Sequence, residues 1–224
     1  MAGDEELPAA PLAHRQAHRG VRGVSGDDLD RILALSDGVF AFAMTLLALS
    51  LVVPVVGGST NHQVSGNLLN ALGQDWNRFL GYTFAFVMIA VWWVAHNRTF
   101  QYIAHYDATL VWVNMAILLQ IAIMPFVLSV YGNYSDTQTA VDLFAGIQVT
   151  LGISVTGLWD YARRARLIKT GVPIELTRYF SRRGWFTSAI FLTSIGISFV
   201  SITGAELSWI AVFVVTRFLD RYPG

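Results

Sequence analysis

Arg31-Ile-Leu-Ala-Leu35-Ser36-Asp37-Gly38-Val39-Phe40-Ala-Phe42-Ala-Met-Thr45-Leu46-Leu-Ala-Leu49-Ser-Leu-Val-Val53-Pro54 is the stretch on which the fold turns. From Ile32 to Val53 it runs for 22 residues with a single charge, Asp37, and it stops at Pro54 and the Gly57-Gly58 turn. A bilayer core of about 30 Å is crossed by roughly 20 helical residues, so a transmembrane helix is predicted over 32–53. Five more apolar runs follow, near 79–97, 108–130, 139–160, 184–202 and 205–219, the last of them short. Pro125 inside the third is tolerable where neighbouring helices satisfy the freed carbonyl. The expectation is an all-α membrane protein with six transmembrane helices per subunit, and a short extracellular helix within 55–77.

Composition agrees. The 224 residues are 54% hydrophobic and 13% charged, with a mean hydropathy of +0.50. Soluble chains carry about 25% charge. There is no cysteine, which excludes a disulfide scaffold, thiol catalysis and thiolate metal sites. The formal net charge is zero, which argues against a nucleic-acid partner. Residues 1–30 are polar and rich in Gly, Pro and mixed charge, with no apolar region after a basic start, so they read as a disordered cytosolic tail ahead of a membrane domain over 31–221.

Basic residues stay on the cytoplasmic side. With the tail inside, the segments on that side hold Arg15, Arg19, Arg22, Arg31, Arg98, Arg163, Arg164, Arg166, Lys169, Arg178, Arg182, Arg183, Arg217 and Arg221. Only Arg78 falls outside. Both termini are therefore expected in the cytoplasm. The basic loop 163–183 reads first as a topology determinant, with binding to anionic lipid headgroups as the functional alternative.

Polar residues within spans are costly and are candidates for function. Asp37 lies about one and a half turns inside span one. It is either a helix-terminal charge, paired with Arg31 and favoured by the N-terminal dipole, or a carboxylate bonded to neighbouring helices. His96, in Trp92-Trp93-Val-Ala-His96-Asn97, lies at the end of span two on the side where span one begins, at the depth of Asp37. It is either a capping residue or a partner of that carboxylate. In span three, Asp107, Asn114 and Gln120 precede Pro125. Asn114 serves packing through an interhelical hydrogen bond, or it completes a polar cluster with Asp37 and His96. Small residues in spans four to six (Gly146, Gly152, Ser154, Gly157, Ser194, Gly196, Ser198) suit close helix packing.

No phosphate-binding glycine loop, metalloprotease helix or nucleophile elbow is present. There is also no arginine-studded voltage-sensing helix and no carbonyl filter of the ordinary potassium-channel kind. No span-scale repeat is visible, which argues against a secondary transporter. No enzyme, cofactor or bound metal is expected.

The string Arg31-x-x-x-Leu35-Ser36-Asp37-Gly38-Val39-Phe40-Ala41 resembles the signature of the potassium-permeable channel family named after lysosomal transmembrane protein 175, in its prokaryotic single-repeat form. The match continues through Trp93-x-x-His96-x-x-x-Phe100 and Asp107-x-x-Leu110-x-x-x-Asn114 to Met124-Pro125-Phe126. It spans about the first 130 residues. The resemblance implies a homotetramer of six-helix subunits in a prokaryotic cytoplasmic membrane, with helix one of each lining a central pore. It implies a constriction of apolar side chains at Phe42, Leu46 and Leu49, with Thr45 influencing potassium preference. These positions share one helical face, although periodicity alone leaves open whether that face meets a pore, a neighbour or lipid. Two positions depart from the family pattern: Leu35 stands where Phe is usual, and Phe42 where Ile or Leu is usual.

The expected function is a leak-like, potassium-preferring cation channel gated by dewetting of that constriction, with potassium ions, membrane lipids and its own copies as partners. Arg31, Ser36, Asp37, His96 and Asn114 would position helix one and set the open–closed balance, and the histidine would offer a route to pH sensitivity. The alternative is a proton-permeable pathway or proton-coupled transporter using Asp37 and His96.

Overall fold

The computed structural model describes residues 26–212 and 214, apart from 52 and 75. Among the described residues seven α-helices run in the order α1 Gly26–Leu46, α2 Asn61–Gln74, α3 Trp76–Gln101, α4 Ala108–Tyr134, α5 Gln138–Arg164, α6 Ile174–Ser198 and α7 Ile202–Ser208, with a 3-10 turn at Leu47–Ser50 after α1. Among the described residues there is no β-strand, only an isolated bridge between Ile103 and Ile168.

Among the described residues four segments are long and apolar enough to cross a membrane: Leu29–Leu49, Arg78–Gln101, Ala108–Tyr134 and Gln138–Arg164. They coincide with the first four expected spans. The helix of span one begins at Gly26, so residues 26–30 are helical, and residues 1–25 lie outside the described residues. The expected spans five and six come out differently. Helix α6 starts at Ile174 and carries Glu175, Arg178, Arg182 and Arg183 before its apolar part, so half of the expected basic loop is helix. It ends at Ser198, Ser201 caps α7 by accepting from Gly204 N at 3.0 Å, and of 205–219 positions 213 and 215–219 lie outside the described residues.

Local chemistry starts the helices. Asp107 caps α4, accepting from Leu110 N at 2.8 Å, and Thr137 caps α5. Before α2, Gln63 N donates to Thr60 Oγ1 at 3.3 Å while Ser59 N donates to Gln63 Oε1 at 3.0 Å. This is a reciprocal cap for the short helix expected between spans one and two. Helix α5 closes with Arg166 at φ 58 and Leu167 N donating to Ala162 O at 2.9 Å, a Schellman ending with arginine where glycine is usual.

Helix α4 is the central post, burying Leu110, Asn114, Ile117, Leu118, Ile121, Met124, Val127 and Leu128 against α1, α3 and α5. Helix α1 lays Ser36, Phe40 and Ala43 on this bundle, and Leu47 of the following 3-10 turn is buried after them. At one end the α3–α4 and α5–α6 connections are stitched together, Ala104 N donating to Leu167 O at 2.8 Å and Lys169 N to Tyr102 O at 2.8 Å. At the other end Tyr131 donates to Glu206 Oε1 at 2.7 Å and Trp209 to Ser194 Oγ at 3.0 Å, holding α7.

Helices α5 and α6 approach closely at two glycines. A Cβ on Gly152 would meet Ser188 Oγ at 2.2 Å, and one on Gly184 would meet Thr156 Oγ1 at 1.9 Å and Thr156 Cβ at 3.0 Å. Of the small residues expected to pack helices, Gly146, Gly157 and Gly196 instead have open space around them. A serine hydroxyl can swing away, whereas a β-branched threonine is stiff. Gly184→Ala is therefore expected to destabilise by about 1–3 kcal/mol through overpacking, and Gly152→Ala by less. Thermal unfolding of the two variants checks the ranking.

Candidate functional site on the first helix

Ser36 and Asp37 are sequence neighbours, so they leave α1 about 100° apart and meet different partners. Ser36 is fully buried. It joins a hydrogen-bonded relay across three helices: His96 Nε2 lies 2.7 Å from Asn114 Oδ1, Asn114 Nδ2 donates to Ser36 Oγ at 3.1 Å, and Ser36 Oγ donates to Ile32 O at 2.9 Å. His96 and Asn114 are 1% and 0% exposed. In this orientation Nε2 of the imidazole carries the proton and Nδ1 has no partner. The ring is packed instead between Phe40 at 5.4 Å and Phe100, stacked at 4.5 Å.

Asp37 is exposed and belongs to a second set. Its Oδ1 accepts from Trp93 Nε1 at 2.8 Å and Asn97 Nδ2 at 3.4 Å, residues one turn apart on α3. The expected Asp37–His96 pair is thus not formed; Asn114 takes the histidine, and Trp93 and Asn97 take the carboxylate. Arg31 is exposed and among the described residues joins no ion pair, so the Arg31–Asp37 alternative also fails. Trp93 and Asn97 flank His96 in sequence and are not among the residues expected to form the network. Their i, i+4 spacing is the signal that would have found them.

Elsewhere in the bundle Trp92 Nε1 donates to Gln148 Oε1 at 2.8 Å, and Gln120 Nε2 to Ser154 Oγ at 2.9 Å. Asp107, besides capping α4, accepts from the Tyr161 hydroxyl. Among the described residues no cluster of His, Asp or Glu has the make-up of a metal site.

The opposite face of α1 has few neighbours within the subunit. Phe42 is 64% and Leu49 77% exposed, Thr45 is exposed, and Leu46 is half-buried. Thr45 Oγ1 donates to Phe42 O at 2.9 Å, which leaves its lone pairs outward. A shallow apolar hollow runs along this face, lined by Ala34, Leu35, Gly38, Phe42 and Leu46 of α1 and Ala122 of α4. The three expected constriction residues and Thr45 thus lie on one side, away from the buried Ser36, Phe40 and Ala43, with Leu46 nearest the subunit.

Apolar membrane-length helices, a first helix tied by buried polar bonds on one side and bare on the other, and no catalytic constellation among the described residues define an integral membrane protein of the helical channel type. A family model for the endosomal/lysosomal potassium channel TMEM175 matches residues 31–125, from the motif arginine to the α4 proline. The chain is similar to a potassium channel of Streptomyces collinus, 30% identical over 176 residues, covering 76% of this chain and 82% of that one. It also resembles the crystal structure of a lysosomal potassium-selective channel TMEM175 homolog from Chamaesiphon minutus, with TM-score 0.66 and 27% identity over 87% of this chain and 97% of that one. The endosomal/lysosomal proton channel TMEM175 of Rattus norvegicus is 25% identical over 154 residues, 68% of this chain but 30% of that one. This chain belongs to the TMEM175 family. It is a family of ion channels and not of enzymes.

Proposed function

We propose that the chain forms a potassium-preferring cation channel in a prokaryotic cytoplasmic membrane, four copies surrounding an axis lined by the bare face of α1. The observation that carries this reading is the division of α1 and of the 3-10 turn that follows it into a buried and an exposed side. Ser36, Phe40, Ala43 and Leu47 are buried, while Phe42, Thr45 and Leu49 are exposed and Leu46 is half-buried. A helix at the edge of a bundle needs no hydroxyl on its outer face, and Thr45 suits an ion path better than lipid. The potassium-channel relatives support the same conclusion.

Each subunit would cross the membrane six times with both termini in the cytoplasm, its outer faces against lipid. Phe42, Leu46 and Leu49 from four copies would form a constriction that excludes water when narrow and passes a partly hydrated ion after a small rotation of α1. The Ser36–Asn114–His96 relay and the Trp93–Asp37–Asn97 set would oppose that rotation. Arg31, exposed at the start of α1, would stand at the inner mouth.

A proton-permeable pathway is the second reading, favoured by the likeness to the rat proton channel. It would not run from Asp37 to His96, which have separate partners. Purified protein in a planar bilayer under a potassium–sodium gradient separates the readings. Unitary currents reversing toward the potassium potential are expected, and currents that follow the proton gradient instead would reverse the order.

A further inference from the structure

The exposed stripe of α6 changes its chemistry along the helix as a membrane leaflet does. Arg178, Arg182, Trp185, Phe186 and Leu192 stand at i, i+4, i+7, i+8 and i+14, one side of a helix. Both arginines are exposed, the two aromatics are each 47% exposed, and Leu192 is 60% exposed. At about 1.5 Å per residue the sequence along the axis is guanidinium, then indole and phenyl, then aliphatic. Aromatic rings favour headgroup level, with cationic side chains just outside it.

The surroundings add charge without neutralising it. Residues 160–183 hold Arg163, Arg164, Arg166, Lys169, Arg178, Arg182 and Arg183 against two carboxylates, Asp160 and Glu175, in a chain whose net charge is zero. Asp160 is already engaged. It accepts from Ser181 Oγ at 2.5 Å and from Trp185 Nε1 at 3.2 Å, with Arg163 Nε at 3.9 Å. Its carboxylate therefore anchors the Trp185 indole against the last turn of α5. Arg164, Arg166, Lys169, Arg178 and Arg182 are exposed, and among the described residues no ion pair holds them. Arg166 stands in the left-handed region at φ 58, a conformation that costs an L-residue about 1 kcal/mol and glycine nothing.

We propose that this corner of α5 and α6 is a docking surface for anionic phospholipid headgroups. Arg178 and Arg182 would donate to phosphate oxygens in the paired geometry guanidinium favours, Arg164 and Arg166 would flank them, and Trp185, held by Asp160, would set the depth of the site. The assignment to the cytoplasmic leaflet rests on the topology proposed above.

The test titrates the detergent-solubilised protein with phosphatidylglycerol or phosphatidylcholine and follows the thermal unfolding midpoint. Phosphatidylglycerol is expected to raise the midpoint and phosphatidylcholine to leave it in place. Each cation near an anionic surface contributes about fivefold in affinity, so Arg178→Gln/Arg182→Gln should weaken the apparent phosphatidylglycerol affinity roughly 25-fold. Arg98→Gln, an exposed cation off the stripe, should not. Equal shifts with phosphatidylcholine, an undiminished response in the double variant, or the whole effect from inorganic phosphate alone would each overturn the site. The leaflet is tested separately: Lys169→Cys, the sole cysteine in that chain, should react with an impermeant maleimide only from the cytoplasmic side. Labelling from the other side, with the lipid preference intact, would move the headgroup site to the opposite leaflet and overturn the topology alone.

Discussion

Phe42→Ala is expected to raise the unitary potassium current by an order of magnitude while leaving thermal stability almost unchanged. The side chain is 64% exposed in the subunit, so its removal opens no cavity in the bundle. Around a fourfold axis, however, one substitution withdraws four phenyl rings from the proposed constriction. A barrier lowered by about 1.4 kcal/mol raises flux roughly tenfold, and a dewetted passage widened by four rings should change by at least that. Phe40→Ala is the matched control two residues away. Phe40 is 1% exposed, packed on the His96 ring at 5.4 Å, and its loss should cost about 3–5 kcal/mol. Single-channel recording and thermal unfolding of both variants distinguish a ring in an ion path from a ring in a core. An unchanged current in Phe42→Ala would remove Phe42 from the conduction path.

The second large effect is expected at Asn114. Its side chain joins α4 to His96 of α3 and to Ser36 of α1, and it is completely buried. Asn114→Ala leaves two buried groups short of a partner at once. Interhelical hydrogen bonds within membranes are worth about 0.6–2 kcal/mol each, so a loss near the upper figure is expected. Ser36→Ala breaks only the last link and should cost less. The functional consequence follows from geometry. With its hydrogen bond to α4 gone, the remaining interhelical hydrogen bonds of α1 are those of Asp37 to Trp93 and Asn97, and open probability should rise well above that of the parent. Unfolding midpoints and open probability measured together test this; a variant unaltered in both would mean that the relay is incidental.

The legible part of the fold was the part that hydropathy controls. Spans at 79–97, 108–130 and 139–160 reappear inside α3, α4 and α5 because an apolar run of that length has one low-energy form in a bilayer. The region 184–202 was harder, since Arg178, Arg182 and Arg183 read as loop when counted by charge and yet form the first turns of α6. Helix propensity of arginine is good, and a helix protruding from the membrane keeps its charges in water. The close approaches at Gly152 and Gly184 show a similar limit. Small residues were recognisable as a class, but Gly146, Gly157 and Gly196 meet nothing and Gly184 was not singled out. Which glycine faces the neighbour depends on the rotation of two helices about their axes.

The same rotation separates what the sequence by itself determined from what required the tertiary structure. Composition and spacing were enough to expect a membrane protein and to mark Asp37, His96 and Asn114 as polar groups within spans, while the family resemblance brought in Ser36 and the Phe42, Thr45, Leu46 and Leu49 positions, whose spacing fits one helical face. The partners were decided only by packing. Ser36 and Asp37 diverge by about 100° around α1, as do His96 and Asn97 around α3. Once the buried face of α1 is seated on α4, Ser36 accepts from Asn114, and Asn114 in turn accepts from His96. Asp37 is turned to the other flank of α3, where Trp93 and Asn97 present their donors. A linear sequence specifies depth in the membrane through residue count, whereas azimuth follows from which side chains interlock.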